Sequence, residues 1–314
     1  MSESAGKSAA PLWAITSYFN PRHYRRRLEN YRTFRSRLNV PLITVEHSLD
    51  GTFDCRPGDA DILVQLRGRD VMWHKERLLN LALQKVPANC SKIAWLDCDV
   101  IFQQADWATL TGEALNEFPV VQPFQDVCEL ARNISADQPE HPDNLRIGRS
   151  FAYGVATGTV DAGMLGENMR LKGWNSGLAW AARREVLDHG FYDACIMGSG
   201  NRAILCAELG RFDFGRQYNH MNDRWAEHYL AWARPHFDRV RGQVGFVKGT
   251  LLHLWHGNLK DRNYADRHRE FSRFQFDPTS DIAADENGCW RWNSNKPEMH
   301  QFVRDYFGSR KEDG

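Results

Sequence analysis

The strongest constraint on the fold is a regular alternation of strand-like and helix-like segments over the first 124 residues. "LWAITSYFNP" (12–21) reads as a strand that ends in a polar loop. Segment 22–38 then sets Tyr24, Leu28, Tyr31, Phe34 and Leu38 at helical spacing, with arginines on the other faces. "VPLITVEHSL" (40–49) and "ADILVQLRG" (60–68) read as further strands. A helix over 74–86 stops at Pro87, and "KIAWLDCDV" (92–100) follows as a strand. A helix over 106–118, with Asp106 as a candidate cap, and a strand over 119–124 complete the run. This order predicts an α/β fold with a mostly parallel sheet flanked by helices. Ligands of such sheets sit beyond the carboxyl ends of the strands.

The rest of the chain is less regular. Residues 128–160 are polar and aperiodic, which predicts a long functional or disordered loop. A strand and then a helix are expected over 177–193, and another strand over 250–257. The tail, 277–314, holds "CWRWN", read as a hairpin or turn, and "MHQFVRDYF", read as a closing helix. The expected organisation is a disordered tail at 1–11, a single domain over 12–276 and an extension over 277–314.

Forty basic and forty acidic residues give a formal net charge of zero, so no global field draws the chain to nucleic acid or membrane. No apolar stretch reaches the ~20 residues that span a bilayer. The first residues lack a basic stretch followed by an apolar one, so no signal peptide is predicted. Seven cysteines with no CxxC pair predict reduced, buried thiols and a cytoplasmic protein. Eleven tryptophans offer flat surfaces for stacking sugars or bases.

The chemistry concentrates in "IAWLDCDVIF" (93–102), where Asp97 and Asp99 interrupt an apolar run. Two unpaired buried charges are costly, and a bound cation would offset them. On a strand the two carboxylates would share a face. Their hard oxygens suit Mg2+ or Mn2+, which in turn bind phosphate. In "LLHLWHGNLKDRNYADRHREF" (251–271), His253 and His256 would lie on opposite faces of a strand, so one of them is expected in the site. Gly257 would let a ligand approach and favours His256, with His253 as the alternate. Lys260, Arg262 and Arg267 follow as candidate phosphate contacts, and Lys75, Glu76, Arg77 and Asn80 belong to the helix that enters the same crevice.

Together these segments resemble the GT-A (Rossmann-like) glycosyltransferases that use nucleotide sugars. "WLDCDVIF" looks like their metal-binding Asp-x-Asp, and "WHKERLLNLAL" is similar to the helix before it in bacterial and phage members. "GWNSGLAWAARREVLDHGFYDACIMGSGN" (173–201) resembles their acceptor-side segment, and "HLWHG" their late metal-site histidine. The resemblance covers about 12–271 and implies a donor half over 12–125 and an acceptor half over 126–276. It implies that Thr16, Ser17 and Tyr18 hold the base and ribose, with Lys75 and Asn80 close by. It makes Asp97, Asp99 and His256 the Mn2+ (or Mg2+) ligands, and sets Asn175, Trp180 and Asn201 against the sugar and acceptor. The chain departs from the pattern at "GSGN", where Asn201 stands in place of a general base. Asp193 or Asp161 would have to serve instead, or the reaction retains configuration; the stereochemistry stays open.

The expected partners are a nucleotide-sugar donor, in the first instance a UDP-sugar, and an acceptor that is a glycan, protein, small molecule or modified DNA base. No integral membrane association is expected. Arginines 22, 25, 26, 27, 32, 35 and 37 raise the option of a transferase acting on hydroxylated DNA bases, although a solvated helix face explains them as well. A non-catalytic nucleotide-sugar-binding protein, or a metal-dependent nucleotidyltransferase or hydrolase, are the other readings.

Overall fold

The computed structural model describes residues 12–167, 172–264 and 266–314, apart from the side chains at 146, 147, 259 and 260. The expected tail at 1–11 lies outside the described residues. The strands in chain order are β1 (Trp13–Phe19), β2 (Leu42–Ser48), β3 (Ile62–Arg67), β4 (Lys92–Leu96), β5 (Val100–Phe102), β6 (Val120–Gln122) and β7 (Asp126–Glu129). Then come β8 (Leu145–Ser150), β9 (Trp174–Asn175), β10 (Ala179–Arg183), β11 (Val244–Phe246), β12 (Thr250–His253), β13 (Ile282–Ala284) and β14 (Trp290–Trp292).

A seven-stranded sheet runs in the order β11-β6-β10-β4-β1-β2-β3. Its pairings are parallel except where β10 enters antiparallel between β4 and β6. The fold is therefore α/β, with a mostly parallel sheet flanked by helices. Every residue of β2 is buried, as expected of a strand covered on both faces. The helix Arg25–Arg37 buries Asn30, Tyr31 and Phe34, which recur on one side of its turns.

Several expectations need correction. The strand at 92–100 ends at Leu96, because the chain turns at Asp97–Asp99 and leaves the main sheet. It re-enters as β5, the first strand of a second sheet ordered β5-β12-β7-β8-β9. That sheet also organises the stretch read as a loop, since 128–160 contributes to β7, β8 and the helix Phe151–Ala156. Its polar strands lacked the apolar alternation that would have marked them. Asp106 makes no capping bond, and β10 leads into a single 3-10 turn, Arg184–Leu187, instead of an α-helix. The seven cysteines are buried thiols, as expected.

The segment 277–314 packs into the main core. Its hairpin pairs β13 with β14, and its helix Pro297–Ser309 buries Met299, Val303, Tyr306 and Phe307. Phe307 meets Phe19 of β1 edge-on at 5.6 Å between ring centres. The arginine-rich helix is largely paired within the chain: Arg27 with Glu312, Arg35 with Asp61, Arg37 with Asp137 and Arg26 with Glu29. No helix among the described residues is long and apolar enough to cross a membrane.

Candidate metal centre and cleft

A cavity of about 240 Å³ opens beyond the carboxyl ends of β1 and β4. Its floor is the Asp97–Cys98–Asp99 turn, joined to the end of β12 by a hydrogen bond from Leu254 N to Asp99 O (2.9 Å). That bond sets Asp99 against two histidines. His256 Nε2 lies 3.2 Å from Asp99 Oδ2, and His253 Nε2 lies 3.7 Å from Asp99 Oδ1. The two imidazole Nε2 atoms are 3.2 Å apart. Ligand atoms of Asp99, His253 and His256 all fall within 4.8 Å of one another.

Only one histidine was expected here. Both enter because β12 ends at His253, so the two-residue strand period does not extend to His256. Gly257 also acts differently from expectation. Its φ is +91°, and an added Cβ would lie 2.8 Å from Lys311 O. Its missing side chain makes room for the C-terminal backbone rather than for a ligand. That approach carries Glu312 to 3.9 Å from His256 Nδ1, while Glu129 Oε1 sits 3.3 Å from His253 Nδ1. Each histidine thus has a carboxylate behind it, and the Glu129 contact is close enough to orient a metal-ligating imidazole, whereas His256 Nδ1 makes no hydrogen bond among the described residues. Glu312 is held by Arg27 (2.9 Å) and Arg310 (2.6 Å).

The electrostatics suit a cation. Burial, with Arg262 adding to it, lowers His256 to about 3, so its imidazole is neutral. Burial opposes the charge of Asp99, but the histidines, Arg27 and Arg262 outweigh it and hold the carboxyl below its usual range. Asp99 Oδ1 is buried without a hydrogen-bond partner. An unsatisfied carboxylate oxygen beside the neutral His256 imidazole and the Nε2 of His253 fits a divalent metal. Asp97 is outside this trio, because the turn separates the two carboxylates that a strand would have kept on one face. It is ion-paired with Lys75 instead.

Glu76, in the first turn of the helix Lys75–Leu83, is the acid that the sequence set beside the crevice without a catalytic role. It is 2% exposed yet lines the cleft. An added Cβ at Gly200 would lie 2.3 Å from its carboxylate, so glycine is what admits it. Burial pushes its carboxyl up to about 7, against the pull of Lys75. A buried acid in a first helical turn carries no sequence mark that separates it from a solvated one.

The cleft gathers Ser17, Lys75, Asp97, Asp99, Asn175, Asn201, His253 and His256 from the expected residues. Thr16 and Tyr18 point away from it, as alternate residues of β1 must. Thr16 Oγ1 donates to Leu96 O (2.7 Å), and Tyr18 Oη donates to Asp54 (2.8 Å). Trp180 is core: it is buried and stacked on Trp95, its partner across the β10–β4 pair. Asn80 and Asp193 hydrogen-bond each other at 2.9 Å, and Arg77 adds an ion pair to Asp193 at 3.2 Å, so both serve the packing outside the cleft. Asp161 caps the turn Ala162–Gly166. The side chain of Lys260 lies outside the described residues. The cleft residues that the sequence reading did not assign to it include Trp73, Arg202, Arg310 and Glu312.

No protein-family model and no curated protein matches the chain. Solved structures similar to it include S. aureus TarS 1–349 in complex with UDP-GlcNAc, at 8% identity, over 96% of this chain and 72% of that one, with a TM-score of 0.46. Another is glucosyl-3-phosphoglycerate synthase from Mycobacterium tuberculosis in complex with Mn2+, UDP and phosphoglyceric acid, at 13% identity over 78% and 71%, TM-score 0.36. A third is the mannosyltransferase PcManGT from Pyrobaculum calidifontis in complex with GDP-Man and Mn2+, at 13% identity over 96% and 72%, TM-score 0.38. With identities and TM-scores this low, the functional reading rests on the side chains of the cleft.

Proposed function

We propose that this chain is a metal-dependent glycosyltransferase, which moves a sugar from a nucleotide diphosphate sugar, in the first instance a UDP-sugar, to an acceptor hydroxyl. The observation that carries this reading is the trio Asp99, His253 and His256 at the carboxyl end of the parallel sheet, each histidine backed by a carboxylate. Two imidazoles beside one carboxylate favour Mn2+ over Mg2+. A divalent cation held there supplies positive charge to the departing diphosphate. Arg27, Arg262 and Arg310 line the same region and add fixed charge on the leaving-group side. Ser17, near the carboxyl end of β1 and on the cleft wall, would meet the nucleoside.

Glu76 takes the role first considered for Asp193. The acceptor oxygen forms a bond to the anomeric carbon, the bond from that carbon to the diphosphate breaks, and the hydroxyl proton passes to Glu76. Its position on the cleft wall and its lack, among the described residues, of hydrogen bonds to other side chains support this role, and a carboxyl poised near neutrality suits a general base. The pairing of the arginine-rich helix within the chain argues against its use as a nucleic-acid face.

The test is release of nucleoside diphosphate from a panel of UDP- and GDP-sugars with Mn2+, Mg2+ or EDTA, for the wild type and Asp99→Ala. Metal-dependent release that disappears in Asp99→Ala supports the transferase reading. Binding without any turnover supports a nucleotide-sugar-binding protein and refutes it, as does cleavage of the donor to nucleoside monophosphate and sugar 1-phosphate in place of the diphosphate.

A further inference from the structure

We propose that the cleft holds a second anion subsite, formed by Arg202 and Arg267, which grips a phosphate or carboxylate on the acceptor. The inference rests on the transferase reading for the word acceptor; the subsite itself rests on the residues below.

Arg202 is 7% exposed and Arg267 3% exposed, and both line the cavity. Neither makes an ion pair among the described residues. Arg202 donates to the backbone carbonyl of Glu167 (2.6 Å) and lies over the Tyr218 ring at 3.6 Å. Arg267 donates to Ser199 Oγ (2.8 Å), His268 Nε2 (3.2 Å) and the Tyr306 hydroxyl. All of these partners are neutral. Because His268 Nε2 accepts from Arg267, that imidazole is neutral too, and burial together with both arginines keeps it so. Two guanidiniums close enough to repel are thus buried with no counter-charge. Burial pulls Arg202 below the ordinary arginine value and the charge of Arg267 adds to the effect. Such a pair is costly unless an anion completes it. Planar guanidiniums match the oxygens of phosphates and carboxylates in two-pronged fashion.

The donor leaves Arg202 without an anion, since its partners, the Glu167 carbonyl and the Tyr218 ring, are not residues of the metal centre. Arg267 joins Arg202 to the leaving-group side, because Arg267 and Arg310 both donate to the Tyr306 hydroxyl. The whole cleft is lined by seven cationic side chains against four carboxylates. A divalent cation and the donor diphosphate largely cancel each other, so donor binding leaves the excess positive charge in place. Asn175 and Asn201 line the same cavity and offer amides to sugar hydroxyls.

The experiment measures melting temperature of the full chain saturated with UDP and Mn2+, then titrated with glucose 6-phosphate, glucuronate or glucose. A bound anion raises the melting temperature by mass action. We expect a further rise with glucose 6-phosphate, glucuronate or both, and none with glucose; which anion acts separates a phosphate-bearing from a carboxylate-bearing acceptor. Arg202→Gln and Arg267→Gln are each expected to weaken that response by about tenfold or more in apparent affinity, with the UDP and Mn2+ response retained in Arg202→Gln. No rise with either anion in the wild type overturns the proposal, as does an undiminished rise in both folded variants; the wild-type arm decides even if a variant fails to fold. If UDP and Mn2+ give no response but the anions do, the transferase reading falls and the subsite stands.

Discussion

Replacing Glu76 with glutamine is expected to stabilise the protein at alkaline pH and to remove its turnover. Burial raises the Glu76 carboxyl from its ordinary value of 4.5 to about 7. Below pH 4.5 the group is protonated in both the folded and the unfolded chain, and it has no effect on stability. As the pH rises from there through 7, the unfolded chain ionises first and is favoured, so wild-type stability falls. Each pH unit of that shift is worth about 1.4 kcal/mol, which makes the full loss about 3 kcal/mol above pH 7. Glutamine keeps the shape and does not titrate. Urea unfolding of both proteins at pH 5, 6, 7 and 8 should therefore show a gap that opens with pH in favour of Glu76→Gln. Transfer should fall by about 10²–10⁴-fold, the usual contribution of a general base, with nucleotide binding retained. A stability difference that is flat with pH would refute the burial argument, and wild-type turnover in the variant would refute the assignment of the base.

Two further outcomes test the frame around the metal centre. Glu312→Gln leaves the buried Arg310 and the partly buried Arg27 without their counter-charge and should cost about 3–5 kcal/mol, read from urea unfolding. Glu129→Gln removes the carboxylate behind His253 and should weaken Mn2+ binding by about 10–100-fold with little change in fold, read by calorimetric titration and circular dichroism.

The alternation of strand and helix was legible because β1, β2 and β4 are apolar runs and the intervening helices keep an apolar stripe. The second sheet was not, because β7 and β8 carry polar residues at the positions where alternation would show. Asp99 and His256 stood out for their setting, an acid inside an apolar run and a histidine before a glycine. Their partners did not. Glu129 and Glu312 reach the histidines through pairings of distant segments, and spacing along the chain holds no trace of such contacts. Trp180 misled for a physical reason: an indole serves a core stack as well as a sugar face, and its cross-strand register with Trp95 was invisible before β10 was known to run antiparallel. Asp193 misled likewise, since its acid group is engaged by Asn80 and Arg77 across a packing interface.

The most direct test of the central claim is calorimetric titration of Mn2+ into the protein, with and without UDP, for the wild type and Asp99→Ala. The account predicts one Mn2+ per chain in the wild type, tighter in the presence of UDP, and loss of both the site and the UDP effect in Asp99→Ala. Mn2+ binding that survives Asp99→Ala, or UDP binding indifferent to Mn2+, would contradict it.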